Sequence, residues 1–487
     1  MIWGRRLAWL AAFVVPAIVY IASASAEPGS WDTAELQGVP YILGIAHPTG
    51  FPFYVLLGYV WSHVFAFGTV AWRMNAMSGI AMAVAAAAAF GVALEFGASA
   101  PVALFATLWF AFSQNIWAHA ARAEAHDLAV ACVALALFAI LRWMHGGGNR
   151  WFAAAFGLCG LGMAAHPNAL WLLPALLLAS ALVKPPPSRT LLLGSLALTV
   201  AALAVYLYLP MRSGYVVAHN LDPAAVLPGA PGGIFWNYND PRTLHGLLLE
   251  LTGSDFQTPT YFLASFNPVN VEAAIWAFID GVHVQFGAFA TLVLAAGFAA
   301  AWRRDWRATL VVLIACTAAL LFSVIYPNES DVGRYRLLAS WLAVPLFGAL
   351  TPRSSRGWAL PVHAALVFFL AAGTLRAFQS QRGFFDHSPG EGGRWVIDAV
   401  RPHVQAGDVI VTGWLDATSL AYGAYVDGTL PGRIIVSDDK LRTDLYRSWA
   451  RIRHVYVLVD PHQVGGLPGT RDFATLDGYH ELYKVLP

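Results

Sequence analysis

The residues best placed for acid–base chemistry stand close to the N-terminus, in the stretch SWDTAELQGVPYILGIAHPTGFPFY. Asp32 and Glu35 lie three positions apart, a spacing that puts both carboxylates on one face of a helical turn. His47 follows in a His-Pro-Thr-Gly segment that is typical of a turn. A carboxylate in such a group could accept a proton from a hydroxyl nucleophile. The alternative interpretation is a solvated surface turn without chemistry.

Further ionisable residues stand between apolar runs or in turns elsewhere in the chain. They are Glu124, His126, His166, Asp240, Arg334, Tyr335 and Arg336. Arginine binds phosphate through parallel hydrogen bonds, so the Arg334 segment could hold an anionic leaving group. Simpler interpretations stay open: helix-dipole stabilisation at Glu124, a turn histidine at His166 and membrane-surface anchoring by the arginines. Together the residues predict one site built from several loops.

The composition of the chain is that of a membrane protein. Its 487 residues are 58% hydrophobic and 12% charged, with a mean hydropathy of +0.58. A soluble globular chain carries roughly 25% charged residues, so a soluble enzyme is excluded. The net charge of +1 predicts no nucleic-acid partner. Of the 57 charged residues, 24 lie in the last 109 positions, which predicts a lipid-embedded body and an aqueous tail.

Apolar runs in the body predict about eleven transmembrane helices, at roughly 20 residues for each crossing. The runs lie at about 7–25, 73–94, 100–118, 127–144, 151–167, 168–183, 190–209, 273–300, 308–326, 336–351 and 358–377. The first run is followed by Ala-Ser-Ala-Ser-Ala, which also resembles a secretory signal with its cleavage site. We favour an uncleaved helix, because Asp32 and Glu35 lie just beyond it.

The distribution of basic residues predicts the orientation, since Lys and Arg favour cytoplasmic loops. With the N-terminus inside, the inner loops contain Arg5, Arg6, Arg142, Arg150, Lys184, Arg189, Arg303, Arg304, Arg307, Arg353 and Arg356. If a further apolar run at 51–67 crossed, it would reverse every later loop. We therefore interpret that run as an interfacial helix on the outer surface. The long loops 26–72 and 210–272 then lie outside, with the tail.

The sequence therefore predicts two domains: a transmembrane domain over residues 1–378 and an extracytoplasmic domain over residues 379–487. In the tail, the short apolar strands GDVIVTG, RIIVSD and HVYVLVD alternate with helical patterns, which is typical of a small α/β domain. We expect a structural or acceptor-contacting role for it. The three cysteines stand in apolar runs and predict neither a disulfide framework nor a zinc site.

The order of several motifs resembles the GT-C superfamily of integral membrane glycosyltransferases, and within it the protein O-mannosyltransferase-like family called domain of unknown function 2723. The resemblance covers about residues 7–378. The matching elements are Asp32-Thr33-Ala34-Glu35-Leu36, His47-Pro48-Thr49-Gly50-Phe51-Pro52, Ala71-Trp72-Arg73-Met74-Asn75, Glu124, His166, Leu207-Tyr208-Leu209-Pro210-Met211-Arg212 and the loop from Trp236 to Thr243. Departures at Ala125-His126-Asp127 and Pro167-Asn168 leave the sugar and the acceptor open.

The resemblance implies an α-helical polytopic fold of the GT-C type and a transfer from a polyprenyl-phosphate-linked sugar at the outer face of the membrane. It implies that Asp32 acts on the acceptor hydroxyl and that the anomeric centre inverts. We assign Asp32 and Glu35 to catalysis. We assign substrate binding to His47, Glu124, His126, His166, Arg212, Asp240, Arg334, Tyr335 and Arg336. No metal is required, although Asp32 and Glu124 could bind a divalent cation.

The predicted partners are the donor, the lipid bilayer and a protein or glycan acceptor, with protein Ser or Thr as one option. A multi-span transporter or flippase of a lipid-linked or small substrate is the alternative function, but it should show internal repeats and polar interruptions near the bilayer midplane. The Ala-rich composition fits a bacterial inner membrane, with the site and the tail on the periplasmic side.

Overall fold

A computed structural model describes residues 2–231, 233–254, 263–318, 320, 324, 332–354, 356–387, 392–459, 469–476 and 480–487. Helices dominate the chain up to residue 381. They are α1 (Ile2–Ala22), α2 (Trp31–Ile42), α3 (Pro52–Val64), α4 (Val70–Glu95), α5 (Ala100–Ala111), α6 (Gln114–Ala120), α7 (Ala125–Met144), α8 (Asn149–Ala165), α9 (Leu172–Leu182), α10 (Arg189–Leu203), α11 (Tyr208–Ala218), α12 (Leu244–Thr252), α13 (Pro268–Phe286), α14 (Ala288–Ala318), α15 (Leu337–Trp341), α16 (Ala343–Gly348) and α17 (Ala359–Gln381).

Five helical segments of the described chain are long and apolar enough to cross a membrane, or six if the bent pair α13 and α14 forms one span. The helical segments 100–111 and 167–182 are apolar but shorter. The count of about eleven spans therefore stays a prediction. The run at 51–67 forms α3, a helix of 13 residues, which is short of the length that a crossing needs.

The predicted break between the runs 273–300 and 308–326 is a kink rather than a loop. Asp305 leaves helical geometry inside α14, at φ −156° and ψ 89°. Its carboxylate accepts hydrogen bonds from the backbone N–H groups of Arg307 and Ala308, as an N-cap residue does. The Trp-Arg-Arg-Asp-Trp-Arg segment therefore starts a new helix without an intervening loop.

Charged residues at that kink meet the ends of two other helices. His145, just after α7, contacts Glu95 at the end of α4 at 2.8 Å and Asp305 at 3.0 Å. Arg304 donates to the carbonyl of Phe96 at 2.9 Å. The ends of α4 and α7 and the kink of α14 thus share one face of the bundle, away from the starts of α4 and α7.

The C-terminal part contains α18 (Arg394–Val400), β1 (Val409–Thr412), α19 (Trp414–Tyr425), β2 (Ile434–Ser437), α20 (Thr443–Ala450), β3 (Val455–Val459), β4 (Thr470–Thr475) and β5 (Glu481–Val485). The sheet order is β2-β1-β3-β5-β4. β1 pairs in parallel with both β2 and β3, and β5 runs antiparallel to β3 and β4. The predicted α/β layer is confirmed, with an antiparallel hairpin added at one edge.

Candidate active site

A cavity of about 1810 Å³ lies between the helical body and the C-terminal sheet. One wall comes from the start of α2 and the turn that follows it, and carries Asp32 and His47. Arg334 comes from the short 3-10 turn Val332–Arg336, and Trp414 opens α19 on the opposite side. The cavity therefore collects groups from segments far apart in the chain.

Asp32, His47 and Glu35 form a connected group on this wall. His47 donates through its backbone N–H to Glu35 Oε1 at 2.8 Å, and its ring Nδ1 makes a very short contact with Glu35 Oε2. The other ring nitrogen, Nε2, lies 4.0 Å from Asp32 Oδ2. Glu35 is fully buried, whereas Asp32 reaches the cavity. The predicted turn of helix thus turns both acids toward one histidine.

The electrostatics of this group keep His47 protonated and Asp32 ionised. Burial lowers the pKa of His47, but Glu35 and Asp32 outweigh it and raise the pKa to about 9. Burial raises the pKa of Asp32, but His47, Arg334 and a hydrogen bond from Trp414 hold the pKa below its ordinary value. A carboxylate on the cavity wall that stays charged at neutral pH can accept a proton.

Two donors from distant elements fix the Asp32 carboxylate. Arg334 Nη1 donates to Oδ2 at 3.1 Å, and the Trp414 indole Nε1 donates to Oδ1 at 3.0 Å. Arg334 Nε also lies 3.9 Å from Glu124 Oε2, so one guanidinium contacts both acids. This cation stands where the negative charge of a departing phosphate could be stabilised.

Glu124 is the N-cap of α7, and its carboxylate is nearly fully buried. His126 Nδ1 contacts Glu124 Oε1 at 3.0 Å, and His119 Nδ1 lies 3.7 Å from Oε2. Burial raises the pKa of Glu124, but Arg334 and the two histidines hold it well below its ordinary value. Helix capping and ion pairing thus both apply at Glu124.

Aromatic rings line the cavity beside Glu124. The His126 and His166 rings lie 3.6 Å apart between centroids, and His166 also stacks on Phe51 at 5.5 Å. The Tyr335 ring meets His126 edge-on at 5.1 Å. His166 itself is buried. Its Nδ1 accepts from the backbone N–H of Asn168, so His166 is also the turn residue.

The structure does not bring three of the assigned residues to this group. Arg212 donates to the backbone carbonyls of Leu43 and, at 3.1 Å, Ile42, because the end of α2 leaves carbonyls without helical partners. Asp240 sits in a turn, where it pairs with Arg242 at 2.9 Å. Arg336 lies beside α13 near Gly281. For phosphate or sugar contact, the geometry favours Arg334 over these positions.

A divalent cation fits this arrangement poorly. Arg334 already occupies the space between Asp32 and Glu124, and a cation bound to both acids would have to displace the guanidinium. Within the described part of the chain, no group of three or more His, Cys, Asp or Glu side chains is arranged to hold a metal ion.

The sequence reasoning missed Trp414. Trp414 stands two residues after the end of β1 in GDVIVTGWLDATS, and the carboxyl ends of parallel strands are where sheets of this kind present ligand-contacting residues. That rule is the signal that could have pointed to it. Asn75, noted only as part of a motif, accepts from Gln37 Nε2 at 3.0 Å and from the backbone N–H of Ala123 at 2.7 Å. It ties α2, α4 and the start of α7 together beneath the site.

Comparison with solved structures shows that the helical body and the small C-terminal sheet together have the GT-C fold. ArnT from Cupriavidus metallidurans matches in the apo state with a TM-score of 0.55 and 13% identity, over 98% of this chain and 97% of that one. Its undecaprenyl-phosphate-bound form gives 0.54 and 14%, over 98% of each chain. The Archaeoglobus fulgidus oligosaccharyltransferase, tethered with an acceptor peptide, gives 0.53 and 12%, over 95% of this chain and 70% of that one.

Sequence comparison gives a narrower match. Residues 32–186 match the family model described as the Protein O-mannosyl-transferase TMEM260 N-terminal domain. Protein O-mannosyl-transferase TMEM260 of Mus musculus is 28% identical over 251 residues, which cover 50% of this chain and 33% of the mouse protein. The matched segment thus spans about a third of that relative. The resemblance to the GT-C superfamily and its O-mannosyltransferase-like family is confirmed.

Proposed function

We propose that this chain is a membrane glycosyltransferase that moves a sugar from a polyprenyl-phosphate-linked donor to an acceptor hydroxyl, with inversion at the anomeric carbon. The observation that carries the proposal is the ionised Asp32 on the cavity wall, with the Arg334 guanidinium 3.1 Å away. This transfer needs a base that accepts the proton of the nucleophile and a cation that stabilises the negative charge of the leaving group.

In the proposed step, the acceptor oxygen forms a bond to the anomeric carbon while the bond from that carbon to the phosphate oxygen breaks. The hydroxyl proton passes to Asp32, and polyprenyl phosphate leaves with one more negative charge than it carried in the donor. Arg334 stabilises that charge. Glu35 holds His47 in place, and the protonated His47 keeps Asp32 ionised until the acceptor arrives.

The relatives support the donor and acceptor classes. The solved ArnT structure holds undecaprenyl phosphate, which is the lipid product that such a donor would release. The oligosaccharyltransferase structure holds an acceptor peptide, and the mouse relative is named as a protein O-mannosyltransferase. We therefore propose mannose as the first sugar to test, and a protein hydroxyl as the first acceptor. Tyr335 and the paired rings of His126 and His166 would face the sugar.

We further propose that the reaction takes place on the periplasmic side of a bacterial inner membrane, with the C-terminal domain on the same side. The basic loops near Arg304 and Arg353 meet at the opposite face of the bundle. This separation of basic loops from the cavity is the pattern that the positive-inside rule favours.

Substitution of Asp32 tests the proposal. Asp32→Asn keeps the size of the side chain but removes the base, so transfer of radiolabelled mannose from polyprenyl-phosphate-mannose should fall by about a hundredfold or more, in line with loss of general-base catalysis. Glu27→Gln is the matched control, because Glu27 also lines the cavity but pairs with Arg394 instead. It should keep wild-type transfer.

Full transfer by Asp32→Asn would reject Asp32 as the base. Wild-type protein that transfers no sugar in proteoliposomes, yet moves a lipid-linked substrate across the bilayer, would reject the glycosyltransferase and support a flippase.

A further inference from the structure

We propose that Trp414 of the C-terminal domain is a positioning residue for Asp32, so that the active site is complete only with this domain in place. The proposal rests on the proposed function for its catalytic consequence. Its structural basis is the hydrogen bond from the Trp414 indole Nε1 to Asp32 Oδ1 at 3.0 Å, which joins residues 382 positions apart.

The Trp414 ring is held from several sides. Its backbone N–H donates to Asp439 Oδ1 at 3.2 Å, in the loop after β2. The ring meets His47 edge-on with centroids 5.8 Å apart, and it meets Tyr238 edge-on at 5.9 Å. Because the first turn of α19 and both ring neighbours restrict it, the indole N–H has one direction, toward Asp32.

The helix that carries Trp414 is fixed to the helical body. Ser419 donates to the carbonyl of Gly29 at 3.0 Å, one turn before Asp32 in the chain. Tyr422 accepts from the backbone N–H of Ala71 at 2.9 Å in a buried contact. The same helix thus bonds to the residues just before α2 and to the start of α4. Docking of the domain therefore sets the position of the Trp414 backbone relative to Asp32.

The two oxygens of the Asp32 carboxylate have different partners. An indole N–H can only donate a hydrogen bond, and an ionised carboxylate can only accept one. The bond therefore favours the ionised form of Asp32. Oδ1 is held by Trp414, and Oδ2 faces Arg334 and His47. With a partner on each oxygen, the orientation of the carboxylate is restrained, and Asp32 lines the cavity where the acceptor hydroxyl would arrive.

Trp414→Phe tests the proposal, because it keeps an aromatic ring and removes only the indole N–H. Loss of a hydrogen bond to a charged group should lower kcat by about tenfold or more, with little change in the KM for the donor. The acidic limb of the pH–rate profile should move to higher pH, because Asp32 loses a bond that favours its charged form.

Trp449→Phe is the matched control. Trp449 lies in the same domain and donates its indole N–H to the carbonyl of Pro228 at 2.8 Å, so its substitution also removes a bond between the domain and a loop of the body. It should leave the acidic limb of the profile in place, even where the protein becomes less stable.

A second measurement is independent of transfer. Carbodiimide modifies protonated carboxyl groups, so labelling of Asp32 across pH, located by mass spectrometry of the full-length protein, reports its protonation. The midpoint for Asp32 should move upward in Trp414→Phe and stay at the wild-type value in Trp449→Phe. An unmoved midpoint in Trp414→Phe would overturn the positioning role, whether or not the wild type transfers sugar. An absence of transfer by the wild type, with a shifted midpoint, would reject the proposed function alone.

Discussion

At the scale of single residues, one guanidinium organises the charges of the cavity. Arg334 contacts Asp32 at 3.1 Å and Glu124 at 3.9 Å, and these acids come from helix starts that are remote in sequence. An entering phosphodiester would compete with both acids for this cation. Under the proposed function, donor binding would therefore draw Arg334 toward the phosphate and loosen its hold on Asp32, which would make the proposed base more available when the donor is present.

His47 makes the stability of the protein depend on pH in a defined window. Its pKa, about 9 in the folded protein, lies above the ordinary value of 6.5 because Glu35 and Asp32 favour the charged ring over the effect of burial. A raised pKa means that the ion pairs stabilise fully below pH 6.5 and that this contribution fades as the pH rises through about 9. His47→Gln should therefore lower the melting midpoint most at pH 6 and progressively less toward pH 9, as measured by thermal unfolding in detergent.

His219→Gln provides the comparison for this pH dependence, because His219 is exposed and its described contacts are with an uncharged residue, the backbone carbonyl and the ring of Tyr215. Its melting difference from wild type should stay flat across the same range. A His47→Gln difference that grows toward pH 9 would contradict a protonated His47 in the folded state.

At this scale, the sequence could predict the acids and the histidine of the first loop, but not which residues from other parts of the chain contact them. Asp32, Glu35 and His47 stand within one short stretch, so their spacing alone brings them together. Arg334 could be named as a phosphate ligand but not told apart from Arg336, because only the 3-10 turn decides which of the two faces the cavity. Trp414 reaches Asp32 through docking of a separate domain, which no local pattern encodes.

At the scale of elements, two helix breaks that the hydropathy pattern predicts as loops are instead single residues that cap the following helix. His166 and Asp305 each end one helix and cap the next, through bonds to Asn168 and to Ala308. Backbone groups released at a helix break need partners, and a side chain at the break supplies them to a residue two or three positions further on. Hydropathy locates such breaks to within a few residues but does not show that the connecting loop is missing.

The kink in α14 can be tested separately from the active site. Asp305→Ala removes the cap and the contact with His145, so we expect a loss of about 0.5–2 kcal/mol of unfolding free energy, as for other N-cap substitutions. Sugar transfer per folded molecule should not change, because the kink lies at the face opposite the cavity. Chemical denaturation and a transfer assay on the same preparation measure the two quantities.

Asp398→Ala controls for the loss of a surface carboxylate, since Asp398 is exposed and forms an ion pair with the exposed Arg401 at 3.7 Å. Its unfolding free energy should change by less than about 1 kcal/mol. Equal losses in the two variants would show that the cap at Asp305 contributes nothing beyond its charge.

At the scale of the whole molecule, the uneven distribution of charged residues along the chain was enough to predict a helical membrane body followed by a small α/β part. A body poor in charge and a tail of ordinary composition correspond to the helical bundle and the five-stranded sheet. The number of spans could not be predicted equally well, because composition does not distinguish a crossing helix from a buried segment that starts or stops inside the bundle. The packing of the sheet over the cavity also depends on surfaces that only the folded chain brings together.

The proposed orientation of the whole molecule can be tested with single cysteines. The native Cys132, Cys159 and Cys316 are buried and should not react with a membrane-impermeant maleimide. Gly357→Cys places a thiol in an open part of the basic loop region, and Arg451→Cys places one on the exposed surface of the C-terminal domain. Because basic loops favour the cytoplasm, intact bacterial spheroplasts should label Arg451→Cys and spare Gly357→Cys, whereas lysed spheroplasts should label both. Labelling of Gly357→Cys alone in intact spheroplasts would place the cavity on the cytoplasmic side and reject transfer at the periplasmic face.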